Sequence, residues 1–125
     1  MFAAAQFIPQ LMQELEDGPL RTYTPCHAEG VEAQAEALAI THAELILVHP
    51  FREGNGRTAF IVGNLLLMQN DMPPLNVYNR RRDEKRYYAA CEAGRIRKDY
   101  QPLATLIAEW TEEALNQWEE SHGQA

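Results

Sequence analysis

Cysteine is scarce in this 125-residue chain, with only Cys26 and Cys91 present. Two thiols make no disulfide framework, and their spacing with His27 matches no recognisable zinc pattern. Long hydrophobic runs are lacking too. None approaches the roughly 18 apolar residues needed to cross a bilayer, and no basic segment followed by an apolar block opens the chain as a secretion signal would. Strand-period alternation, internal repeats and low-complexity tracts are also missing. These gaps argue against a disulfide-stapled secreted module, a membrane span and a solenoid. The expected compartment is the cytoplasm.

What is present is ordinary for a globular protein: 46% hydrophobic and 23% charged residues. The length fits one domain, residues 1–125, able to bury roughly two-thirds of its unfolded surface. The formal charge of −7 is unevenly spread. Residues 80–98 hold eight of the eleven basic residues against three acids, so this tract is +5 and the remainder −12. An acidic molecule is a poor general binder of nucleic acid, whose non-specific affinity comes from neutralising phosphates. The basic tract is most simply a solvated helix face. A local face of this kind could also recruit an acidic protein or help to hold nucleotide phosphates.

Helical periodicity dominates. Apolar residues and Pro9 predict a helix over 9–16, ended by Asp17, Gly18 and Pro19, with turn and loop composition from 19 to 30. A long helix is expected over 31–48, with Val31, Ala35, Leu38, His42 and Leu45 on one face. His42 on that stripe reads as a buried, hydrogen-bonded core histidine. Another helix, over 55–70, is apolar nearly all round, which predicts a place at the centre of the fold. Later helices are expected over 83–93 and 101–119. The fold class is all-α.

Between the two central helices, residues 49–57 read His-Pro-Phe-Arg-Glu-Gly-Asn-Gly-Arg. Glycine-flanked amides at a helix N-terminus form a nest of N–H donors where the helix dipole favours an anion. Gly54, Asn55 and Gly56 supply that nest, Asn55 through its backbone amide and a side-chain donor. Arg57 just inside the helix opposes the dipole unless an anion compensates, and its planar fork suits phosphate. Glu53 can share a divalent metal with phosphate oxygens; its plainer reading is a carboxylate favouring the helix N-terminus. His49 beside them is a potential general base. Phe51 is expected to pack beneath the loop and support it. The layout is that of a phosphate-handling active site.

The same stretch resembles the signature of the Fic (Fic/Doc) family, His-x-Phe-x-(Asp/Glu)-Gly-Asn-Gly-Arg-x-x-Arg, from His49 through Arg57. The flanking apolar helices and, more loosely, segments across most of the chain are similar as well. The resemblance implies a compact Fic-like helical domain and a protein adenylyltransferase. In that scheme His49 takes the proton from a Ser, Thr or Tyr hydroxyl of a target protein. Glu53 holds Mg²⁺ on the phosphates of ATP, and Gly54, Asn55, Gly56 and Arg57 bind the nucleotide. It implies an antitoxin-type inhibitor protein by analogy only.

Two departures qualify the resemblance. The final motif arginine falls at position 60, which is Phe60, so triphosphate binding is expected to weaken roughly ten- to a hundredfold. In place of a β-hairpin flap, residues 1–5 are expected to be only a remnant. The family's inhibitory helix pattern has no full match: Thr105 to Glu109 fits its first five positions, but Trp110 follows. Position 60 keeps two alternatives open: a Doc-like kinase or other phosphate-ester transferase on the same site, and a catalytically attenuated module that binds a partner protein.

Overall fold

The computed structural model describes residues 2–122. A 3-10 turn, Ala5–Phe7, leads into α1, Ile8–Leu15. A π-helical stretch, Glu16–Leu20, and a short turn, Arg21–Tyr23, continue its path. Five further helices follow: α2 Gly30–Val48, α3 Asn55–Gln69, α4 Val77–Arg82, α5 Glu84–Arg97 and α6 Gln101–His122. No strand occurs among the described residues, as the missing alternation predicts.

The structure departs from the sequence pattern in four places. Asp17, Gly18 and Pro19 do not end the first helix; the wider π turn eases the clash between the Pro19 ring and the carbonyl one turn back that would kink an α-helix. α4 is a helix that periodicity did not signal, because six residues carry too little pattern. Residues 2–5 form no flap strand, although the Ala3 N–H donates to the Leu47 carbonyl at 3.0 Å; Met1, the other part of the expected remnant, lies outside the described residues. The central helix is α2, which packs against α6, α3, α5 and α1. α3 is only half covered: Phe60, Leu66 and Leu67 are buried, whereas Ile61, Leu65 and Met68 form an exposed stripe.

Small residues explain why α2 takes the middle. Ala35, Ala37, Ala39 and Ala43 are essentially inaccessible and let neighbouring backbones approach on several sides. At Gly94 of α5 a Cβ would lie 3.0 Å from the Ala43 Cβ, so this crossing has no room for a side chain. Around α2 the core gathers Leu38, Phe60, Leu67, Leu103, Leu106 and Trp110. The Trp110 indole N–H donates to Asp83 at 2.8 Å, satisfying its polar edge at the start of α5.

Much of the basic tract is spent on holding helices together. Arg82 pairs with Asp83 and with Glu113 of α6, Arg86 with Glu109, and Lys98 with Glu44 of α2. Exposed pairs of this kind each contribute little. Glu109, the acid of the partial inhibitory pattern, is thus engaged by Arg86 on α5. Arg80 and Arg95 turn instead toward the motif loop.

His42 is the buried histidine expected from its position. Its Nε2 lies 2.6 Å from the Tyr87 hydroxyl. Burial pushes the imidazole down to about 4; a hydrogen bond to the Ala59 backbone opposes this, and the charge of Arg80 adds to it. An unfolded histidine titrates near 6.5. Below that pH the unfolded chain therefore takes up a proton that the folded chain refuses. This part of the stability is complete above about pH 6.5 and is lost as the pH falls toward 4, reaching about 2 kcal/mol by pH 5. Chemical denaturation at pH 7.5 and pH 5 should show His42→Gln losing less stability over that interval than the wild type. Equal losses would assign the pH dependence to other groups.

Candidate active site

The motif is built at the junction of α2 and α3. α2 must stop at Val48, because Pro50 disfavours helical backbone at the residue before it. His49 closes the helix in the left-handed conformation, φ 52, with its N–H on the Leu45 carbonyl at 3.1 Å. That reversal carries the ring out of the helix and into a cleft. The Phe2 ring stacks on it at 4.1 Å, and His49 Nδ1 is buried without a hydrogen-bond partner.

The loop then reaches Gly54, whose φ of 84 suits glycine because a Cβ would be strained there. Gly54 precedes α3, and the Thr58 N–H donates to its carbonyl at 2.9 Å. The amides of Asn55, Gly56 and Arg57 come before that first bond and have no acceptor within the helix. These are the motif residues themselves.

One expectation about the loop is extended and another corrected. The Asn55 side chain has a role within the loop itself. Its Oδ1 accepts from the Phe51 N–H at 2.9 Å and its Nδ2 donates to the Phe51 carbonyl at 2.7 Å. Being 5% exposed, it acts as a clamp across the turn, with its backbone amide at the head of α3. Phe51 does not pack beneath the loop; its ring is 49% exposed, and the support comes through the backbone groups that Asn55 holds.

Asn55→Ala removes both clamp bonds and leaves the Phe51 backbone groups without them. We expect a stability loss of about 1–3 kcal/mol and a fall in transfer rate of about tenfold or more, since His49 is no longer held against the α3 amides. Thermal melting and single-turnover kinetics check this. A variant that loses stability but transfers at the wild-type rate would show that the clamp serves only the fold.

A cleft of about 340 Å³ collects His49, Asn55 and Gly56 with Phe2, Tyr87, Tyr88, Arg80 and Arg95. Glu53, Gly54 and Arg57 are not in that lining; Glu53 and Arg57 stand exposed on the adjoining loop and first turn. The Arg57 guanidinium folds back over the loop, within 3.9 Å of where a Gly54 Cβ would be. Cys91 also lines the cleft, but burial pushes its thiol up to about 11, which keeps it protonated and inert. Tyr87 is held above the ordinary phenol range, chiefly by burial.

The donor set suits a metal that arrives with its ligand. No group of three or more His, Cys, Asp or Glu among the described residues could hold an ion alone. Mg²⁺ commonly uses one or two carboxylates plus substrate phosphates, and exposed Glu53 beside the amide nest supplies one. Phe60, by contrast, stands outside the cleft: it is 7% exposed, with its ring centroid 6.4 Å from that of Trp110. Arg80 belongs to the cleft, and motif reading did not find it. Its only sequence signal was membership of the basic tract.

Comparisons with known proteins converge on this region. A family model described as Fic/DOC family matches residues 1–67. The protein adenylyltransferase fic-1 of Caenorhabditis elegans is 36% identical over 83 residues, covering 66% of this chain and 16% of that protein. The protein adenylyltransferase Fic of Nematostella vectensis is 34% identical over 82 residues, covering 65% of this chain and 18% of its own length. The corresponding protein of Aedes aegypti is 35% identical over 78 residues, 62% of this chain and 15% of its own. The chain thus spans about a sixth of the length of the curated relatives it matches.

Proposed function

The chain belongs to the Fic/DOC family, and from that premise and the geometry of the cleft we propose that it is a protein adenylyltransferase. A Ser, Thr or Tyr hydroxyl of a target protein attacks the α-phosphate of ATP. The bond from that phosphorus to the oxygen bridging to the β-phosphate breaks, pyrophosphate leaves, and the hydroxyl proton passes to His49. The amides of Asn55, Gly56 and Arg57, with the Arg57 guanidinium, stabilise the negative charge that builds on the phosphate. Glu53 would hold Mg²⁺ on the nucleotide phosphates, where the ion neutralises charge. The observation that carries the reading is one cleft lined both by His49, at the end of α2, and by the first residues of α3. The names of the relatives, proteins described as adenylyltransferases, support the choice of AMP as the transferred group.

The test is transfer to lysate proteins with ATP labelled at either the α- or the γ-phosphate. Label retained only from the α-position is the expected result. Retention only from the γ-position would make the chain a kinase. Absence of transfer from both, together with no rise in melting temperature on adding Mg²⁺-ATP, would point to a partner-binding module instead.

A further inference from the structure

Of the two arginines that the family signature specifies, this chain keeps one, Arg57, because position 60 carries a phenylalanine packed in the core. A second cation nevertheless reaches the nest, from a different element. Arg80 of α4 brings its guanidinium so close to the start of α3 that a Cβ on Gly56 would lie 3.0 Å from Nη1. The same group sits over the face of Tyr87, 5.6 Å from the ring centroid, and lines the cleft with His49, Asn55 and Gly56. No carboxylate pairs with it among the described residues, whereas Arg82, Arg86 and Lys98 of the same tract are all paired. Its place is fixed from below. Asn64 of α3 clamps the backbone of Leu75, accepting from its N–H at 2.8 Å and donating to its carbonyl at 3.3 Å just ahead of α4.

An arginine fork held beside the first turn of α3, set over an aromatic face and unmatched by any acid among the described residues, is arranged for an anion. We propose that Arg80 is the second phosphate-binding cation of this site: it grips a phosphate of the bound nucleotide and supplies from α4 the charge that position 60 does not. The inference rests on the transferase reading above, since it takes the ligand to be a nucleotide. Arg95 is not equivalent, because its guanidinium lies over the Phe2 ring, 4.6 Å from the centroid.

Calorimetric titration of the full chain with Mg²⁺-ATP and with adenosine tests this. Arg80→Gln should raise the Kd for ATP about 10- to 100-fold and leave that for adenosine unchanged. Arg81→Gln, on the exposed side of the same helix, should match the wild type for both ligands. Arg80→Met keeps the apolar stem against Tyr87 and gives the same comparison should the glutamine variant fail to fold. An unchanged ATP Kd in a folded Arg80 variant overturns the assignment alone. An equal loss for adenosine does so too, because Arg80 would then act through the fold. Failure of the wild type to bind ATP overturns both this assignment and the transferase reading.

Discussion

Replacing His49 with alanine should lower transfer by about 10²–10⁴-fold, the range spanned by a positioned general base, while leaving the fold in place. The separation is expected from the residue's surroundings. His49 Nδ1 makes no hydrogen bond, so truncation leaves no buried partner unsatisfied. Its ring touches the exposed Phe2, and its backbone N–H still caps α2 through Leu45. The left-handed φ of 52 suits alanine less well than histidine, at a cost of about 1 kcal/mol, which the melting temperature should report as a small decrease. ATP affinity should hardly move, because the amides of Asn55 and Gly56 and the cations Arg57 and Arg80 remain. A variant that folds, binds ATP and still transfers at more than about a tenth of the wild-type rate would remove His49 from the mechanism.

Restoring the family's arginine is expected to do harm. Phe60→Arg reads, on the motif alone, as the repair of a defective site. In the structure the ring is 7% exposed within a core that includes Leu38, Tyr87 and Trp110. The substitution discards that packing and leaves a guanidinium with no carboxylate beside it. The charge of Arg80 already reaches this neighbourhood, where it helps to lower the pKa of His42. Loss of the ring alone would cost about 3–5 kcal/mol, and an unpaired buried charge adds to that. We expect a fall in melting temperature on the order of 10–20 °C and no gain in transfer. Phe60→Leu, which keeps the site apolar, should cost far less. A Phe60→Arg protein that melts near the wild type and transfers faster would show that position 60 opens to the cleft when charged, and that Arg80 is not the replacement cation.

Local chemistry was readable at the loop and ambiguous away from it. The break at His49 follows from Pro50, and the turn at Gly54 from a backbone that suits glycine; both act over a few bonds. The burial of His42 was also legible, because helical spacing puts it on the stripe shared by Ala35, Leu38 and Leu45. Composition misjudged α3: its apolar residues imply burial all round, yet Ile61, Leu65 and Met68 face outward. Which helix takes the middle depends on how closely neighbours can approach, and the alanines of α2 decide that in its favour.

The amino-acid sequence by itself determined that the chain is helical, where its two motif helices stop and start, and that a base, a carboxylate, a glycine nest and an arginine stand together at their junction. Those properties come from periodicity and from backbone preferences within a few residues. Only the tertiary structure decided that the Asn55 side chain belongs to the loop, that Phe60 belongs to the core, and that Arg80 reaches Gly56 across 24 positions of chain. The Asn55 bonds span only four residues, but spacing alone does not choose Phe51 as their partner. The places of Phe60 and Arg80 depend on how the helices assemble, and packing brings together residues whose separation along the chain carries no local signal.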